Sequence, residues 1–425
     1  MKRPAATLVV ICTLAAAAHA GDWPQILGPA RTGIAAPDER LADEWPAGGP
    51  PVVWKRAVGG GYAGVAVADG RVILFHRMAD AEVVEALDAA TGRTLWKDEH
   101  PTSFRPQVGG GDGPLCVPAV HDSRVITFGA QGVLRCLDAA TGQRIWIRDT
   151  HRDFGAPEGY FGAGSTPLVA AGHVIVNVGG SRSEAGIVAF SFATGDTVWT
   201  KTSEPASYSA PIVAVIGGAE HVLMVTRYQC LLLDPQSGEI RWQFPFGQRG
   251  PTVNAASPVV SPDGHLLVTA SYGIGSVYGT FDATGFRRLW EGADSLATQY
   301  CTPIAAGHHA WCIDGRDDVP PADLVCVDLR TGRAAWREAN FGYGTLLAAD
   351  GKLLTAKTDG ELLLLRMSAT DFNVLARARP LTGTLRALPA LASGRLYVRD
   401  DTTLACLDVG RASHLDEGAH RPDAY

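Results

Sequence analysis

ALDAATGRTLW, residues 86–96, reads as the end of one β-strand, a tight turn and the start of the next strand. Asp88 can bond the backbone ahead of it and so nucleate the turn. Gly92 can take the positive φ that such a turn needs. Thr94, Leu95 and Trp96 then restart an extended, alternating pattern. Trp96 is the large apolar piece, able to bury about 150–250 Å² against a neighbouring layer.

The pattern returns along the chain. It ends at Trp146 in CLDAATGQRIW, at Trp199 in AFSFATGDTVW and at Trp242 in LLDPQSGEIRW. It ends again at Trp290 in TFDATGFRRLW and at Trp336 in CVDLRTGRAAW. Successive Trp positions are 50, 53, 43, 48 and 46 residues apart. A period in this range with strand content means a β-propeller, each repeat one blade. A lone four-stranded sheet buries neither face; stacked radially, it buries both.

The upstream half of each unit repeats too: VAVADGRVILF, PAVHDSRVITF and PIAAGHHAWCI each read strand, polar turn, strand. Each unit therefore supplies four strands. Six units carry Trp, a degenerate seventh spans residues 344–379 with Leu375 at the Trp place, and residues 385–410 begin an eighth. That last unit has the Asp turn at Asp408 and no Trp strand after it. PVVWKRAV, residues 51–58, has Trp54 and no Asp turn before it. The two halves complete each other, and pairing them closes the ring and removes an exposed sheet edge. The fold class expected is all-β, an eight-bladed propeller of four-stranded antiparallel blades closed by the N-terminal strand. Seven blades is the alternative if the weak unit forms none.

The expected organisation is a signal peptide at 1–20, an N-terminal arm at 21–51, the propeller at 52–410 and a disordered tail at 411–425. Lys2 and Arg3 precede an apolar run, and Ala18-His19-Ala20 is a small-x-small cleavage site. The arm, rich in Gly, Pro and Ala, reads as an extended segment lying outside the ring, anchored by Trp23 and Trp45. Loss of Lys2 and Arg3 takes the formal charge from −7 to −9, so no basic cluster is left to track phosphates. Nucleic acid is excluded as a partner, and no later run is long and apolar enough to span a membrane. Localisation in the periplasm or outside the cell follows, as a monomer.

Of 8 cysteines, Cys12 leaves with the leader. Cys136, Cys326 and Cys406 each precede a repeat Asp by two residues, where other copies have Ala86 or Leu232, so they read as small core positions. Pairing within one blade, Cys116 with Cys136 or Cys301 with Cys326, stays open.

Few motifs carry chemistry. Gly59-Gly60-Gly61-Tyr62-Ala63-Gly64 matches a dinucleotide fingerprint, but a strand follows where a helix is required. His308 and His309 fall at a turn. Asp314, Asp317, Asp318 and Asp323 crowd one loop, which reads as a solvated insertion rather than a calcium site. Most units begin with a small residue and Pro, as in Thr166-Pro167 and Ser257-Pro258. First strands line the channel of a propeller. The residues entering them therefore converge on one mouth: Tyr62, Phe161, Tyr208, Asn254, Gln299, Tyr300, Tyr343 and Arg386. Such a ring suits a planar or sugar-like ligand or a protein segment; the competing reading is an aromatic plug.

The consensus Ala-x-Asp-x-x-Thr-Gly-x-x-x-Trp resembles the pyrroloquinoline-quinone-type (PQQ-like) propeller repeat, over nearly all of the chain after the leader. DWPQILGPARTGIA is similar to the start of secreted bacterial proteins of that family, with Leu27 where those often have a basic residue. The repeat is shared by quinoprotein alcohol dehydrogenases and by the propeller lipoprotein of the outer-membrane β-barrel assembly machinery, so it specifies fold better than activity. The dehydrogenases pair adjacent cysteines above the quinone and hold calcium with Glu, Asn and Asp. No adjacent cysteines occur here, and Cys12 does not fit an acylated start. The resemblance implies an exported, non-enzymatic binding or assembly scaffold with no cofactor and no metal, its protein or small ligand at the channel mouth. The alternative is a PQQ-dependent dehydrogenase with a divergent site.

Overall fold

Residues 86–96 fold around Asp88. Its Oδ1 accepts from the Thr91 amide at 2.8 Å and the Thr91 hydroxyl at 2.6 Å, and Gly92 turns the chain at φ 69°. The strand Ala81–Asp88 then pairs with Thr94–Pro101 through a β-bulge. Ala86 faces Trp96 and Leu87 faces Thr94, so Leu95 is the extra residue, left 50% exposed on the rim. The bulge turns Trp96 inward, onto the Asp–Gly turn of the next blade. There its Nε1 donates to the Ala139 carbonyl at 3.0 Å.

This clasp recurs around the ring. Trp54, Trp146 and Trp199 donate to the carbonyls of Ala89, Phe192 and Pro235. Trp242, Trp290 and Trp336 donate to those of Asp282, Leu329 and Ser368. The close approach explains the turn glycine. A Cβ on Gly142 would come 2.5 Å from the Trp96 ring, at φ 73°. Gly142→Ala should therefore cost about 2–4 kcal/mol, from backbone strain plus overpacking. Gly70→Ala, at φ 70° with nothing within 4 Å, should cost only about 1 kcal/mol. Urea denaturation of the two variants checks this; equal midpoints would show that the Trp96 ring does not rest on the turn.

The computed structural model describes residues 21–250 and 252–411. The expected leader, and the expected tail apart from Arg411, lie outside them. Eight four-stranded antiparallel sheets follow one another around an axis. The last is made of Ala390–Ala392, Arg395–Arg399 and Thr403–Asp408, completed by Val52–Ala57 from the start of the chain. Trp54 lies opposite Cys406 and Lys55 opposite Ala405. Blade seven forms as well, from Gly344–Ala349 to Val374–Ala378. Its bulge shows that Ala376, facing Leu364, holds the Trp place, and Leu375 is the extra residue that matches Leu95. The joint from blade seven to blade eight thus lacks the clasp. Trp45 packs against the same core cluster as Leu375 and Ala376, and Gly49 abuts Ala378.

The arm departs from expectation: residues 23–35 do not lie outside the ring but run through its axis. Trp23 exchanges two 2.8 Å backbone bonds with Val67 in the inner strand of blade one. The Val120 amide of blade two donates to the Pro24 carbonyl at 2.7 Å. Arg31 donates to the carbonyls of Pro211, at 2.8 Å, and Pro167, which start the inner strands of blades four and three. Gly33 sits against Ile304 of blade six, and Ala35 donates to Ala348 of blade seven at 2.9 Å. Only a segment on the axis reaches all these blades. Trp23 is 2% and Arg31 3% exposed.

Candidate functional site

In an antiparallel four-stranded blade, the Asp–Gly turns and the first hairpin turns share one face of the ring. The linkers between blades and the loops between second and third strands share the other. On that second face the small-residue–Pro steps are stitched sideways. The Val117 amide donates to the Thr166 hydroxyl at 3.2 Å, and the Ser257 amide to the Thr302 hydroxyl at 3.0 Å. This ring of linkers frames the mouth of the filled channel.

Three arginine–tyrosine stacks stand there. Arg386 lies 5.5 Å from the Tyr62 ring centre and Arg316 lies 4.4 Å from that of Tyr272. Arg227 lies between Tyr160 and Tyr228, at 6.0 and 5.9 Å. Arg386 is held by Asp317, with Nε to Oδ2 at 2.8 Å, and Asp317 also accepts from the Thr358 hydroxyl at 3.0 Å. Arg316 is held by Asp318. Gln299 ties these groups together, accepting from the Asp317 amide at 2.9 Å and donating to the Tyr272 hydroxyl at 3.0 Å. Arg227 donates to the Gly250 carbonyl rather than to a carboxylate. It borders a small cavity of about 160 Å³ that Tyr160, Tyr208 and Tyr228 also line.

Of the residues chosen from sequence, Tyr62, Phe161, Gln299 and Arg386 are half-buried at this mouth. Asn254 is not available to a ligand. Its side-chain amide donates to the Thr226 carbonyl at 2.9 Å, and its own carbonyl accepts from the Tyr208 and Ser209 amides. Tyr343 is buried, its hydroxyl accepting from the amides of Tyr300, at 2.7 Å, and Cys301, at 3.1 Å. Tyr300 packs on it with ring centres 4.6 Å apart, and burial raises both phenols well above their usual range. The Tyr208 hydroxyl accepts from the Phe161 amide, and burial pushes it up to about 12. These three phenols are therefore neutral at physiological pH.

Sequence reasoning missed Arg227, Tyr228, Tyr272 and Arg316, which lie in the loops between second and third strands. Their signal was positional, because those loops share a face with the linkers. The aspartate loop is also not a solvated insertion. Asp314 and Asp323 both bind Arg337, at 2.7 and 2.8 Å, while Asp317 and Asp318 hold the stacked arginines. Neither bridge considered from sequence is present in this structure, in which all the described cysteines are buried thiols. Cys136, Cys326 and Cys406 instead stand opposite Trp146, Trp336 and Trp54, the small residues beneath each clasp.

A quinone of the pyrroloquinoline type would need a slot on the axis with a calcium set beside it. Residues 23–35 fill that space along the inner strands. Among the described residues no three of His, Cys, Asp and Glu converge to hold an ion. The residues present do not fit that group.

A family model described as outer membrane protein assembly factor BamB matches residues 79–338. The chain is 25% identical over 369 residues to outer membrane protein assembly factor BamB of Burkholderia pseudomallei (strain K96243), covering 81% of this chain and 84% of that one. It is 33% identical over 137 residues to quinohemoprotein alcohol dehydrogenase ADH-IIG of Pseudomonas putida, but over 30% of this chain and 18% of the enzyme. The crystal structure of BamB from Moraxella catarrhalis superposes with a TM-score of 0.62 at 17% identity, over 84% of this chain and 99% of that chain. Quinohemoprotein alcohol dehydrogenase from Comamonas testosteroni gives 0.64 at 16% identity, over 95% and 83%. At such identities the structures speak for the fold alone. The family match spans most of the blades, and on it the chain belongs to the PQQ-like propeller family of outer membrane protein assembly factor BamB.

Proposed function

We propose that this protein is a non-enzymatic scaffold of outer membrane protein assembly, working in the periplasm and docking a protein partner on the linker face. One observation carries the reading: the chain fills its own axis with residues 23–35, where a catalytic propeller would keep space for a cofactor. What remains for binding is a surface of stacked tyrosines and arginines around the plugged mouth. Tyrosine and arginine are the side chains that most often dominate protein interfaces. Arg227, with no carboxylate partner among the described residues, favours an acidic group on the partner. The likeness to assembly factor BamB over most of both chains supports the same role. Among the described residues no helix is long and apolar enough to cross a membrane.

The test uses the full chain in its host. Deletion should lower the level of outer-membrane β-barrel proteins. The double variant Arg227→Glu, Tyr228→Ala should fold normally yet fail to restore them, with binding to the assembly machinery weakened at least about tenfold. Robust dye-linked turnover of alcohols or sugars after addition of pyrroloquinoline quinone and calcium would overturn the reading.

A further inference from the structure

Blade six brings two buried cysteines side by side. Cys301 ends the linker that carries Gln299 and Tyr300, just before the inner strand Ile304–Ala306. Cys312 lies in the next strand, His309–Asp314. Ile304 pairs with Trp311, and this register folds the end of the linker back beside Cys312. The Cys312 thiol donates to the Cys301 carbonyl at 3.2 Å, so the two residues touch across the hairpin. Neither residue is exposed to solvent.

The other described cysteines have different neighbours. Cys116 turns its thiol toward the Ala163 carbonyl, 3.7 Å away. Cys136, Cys326 and Cys406 sit beneath their Trp clasps, and Cys230 pairs across its sheet with Phe244 and Val225.

We propose that Cys301 and Cys312 are joined by a disulfide in the exported protein, a covalent tie beneath the channel mouth. The proposal rests on export to an oxidising compartment, where such pairs persist. In the step, two S–H bonds break and one S–S bond forms. The two protons and two electrons pass to the disulfide of a thiol–disulfide oxidant, whose S–S bond breaks and which leaves as two thiols. Burial pushes the Cys312 thiol well above its ordinary range, so the reactive thiolate is scarce once the blade has formed. The bond therefore forms during folding, while the linker is still open, and afterwards resists exchange. Its effect is to pin residues 299–301, and with them Gln299 and Tyr300, to the sheet beneath.

The test reads the bond directly. Full-length protein is isolated after export, and a second sample is refolded in vitro with oxidised glutathione. Both are denatured with iodoacetamide and no reductant, then cut with trypsin. Arg288 and Arg316 bound one peptide that contains both cysteines. The expected peptide is unlabelled and two hydrogens lighter than its reduced form, while peptides bearing the other cysteines are labelled. Cys301→Ser should leave Cys312 labelled. Full labelling of both cysteines in the glutathione-refolded sample, or a bond from either to another cysteine, would overturn the proposal. A bond in the refolded sample alone would leave the pairing intact and count against export instead.

Discussion

Removal of residues 21–58 is expected to give a protein that cannot close its ring and that aggregates on expression. The deletion takes away Val52–Ala57, the outer strand of blade eight, and leaves the edge of Thr403–Asp408 unpaired. It also removes Trp54, whose indole clasps blade eight to the Ala89 carbonyl of blade one. Removal of residues 21–43 alone keeps that strand, yet it too should be severe. It empties the axis and loses Trp23, Leu27 and Leu41, each buried and each contributing about 1.5–3 kcal/mol. A loss on the order of 5 kcal/mol follows, read as a large fall in melting temperature with the ring still formed. If the shorter truncation melted like the full chain, residues 23–35 would not be seated on the axis.

The second large effect is expected at Arg31. Burial pulls its guanidinium down to about 9, so it remains charged at neutral pH. Its partners are dipoles, the carbonyls of Pro167 and Pro211 and the Gln25 side-chain oxygen at 2.7 Å. Arg31→Ala leaves two buried carbonyls without donors and opens a void, at a cost of about 4 kcal/mol. Arg31→Met should cost distinctly less. It refills the volume and removes the desolvated charge along with its hydrogen bonds. Urea denaturation of the two variants gives the comparison. Equal losses would mean that volume plays no part, and a neutral Arg31→Ala would mean that the side chain does not bridge blades three and four.

Blade number, strand count and ring closure were legible because the repeat marks its own geometry. An Asp starts each turn, a Gly completes it, and a Trp must reach the next blade. Trp54 and Asp408 could be matched as halves for the same reason. The one-residue error at Leu375 has an equally local cause. A β-bulge adds a residue just before the Trp, and without the Trp to mark it the offset is invisible. The path of residues 23–35 was not legible. Its Gly, Pro and Ala composition signals a loop, and nothing periodic says whether a loop lies outside a ring or within it. The mouth was half legible. Linker residues such as Tyr62 and Arg386 were found because they precede repeat strands. Arg227, Tyr272 and Arg316 sit in loops of unequal length, where the repeat gives no register.

The joint between blades seven and eight, with Ala376 in place of an indole, also sets an order of events. Local unfolding begins where the free-energy cost of opening is lowest. Every other seam must extract a clasping Trp, buried or half-buried, and break its hydrogen bond. This one has no clasping indole to extract, and it borders the outer strand that the chain does not connect directly to its own sheet. Slow hydrogen–deuterium exchange would then spread around the ring from this seam, with Val52–Ala57 and Val374–Ala378 losing protection together and the clasped blades later. The closure that makes the ring continuous thus also makes it openable at one place, and the axial segment, anchored on both sides of that place, is what an opening event would release.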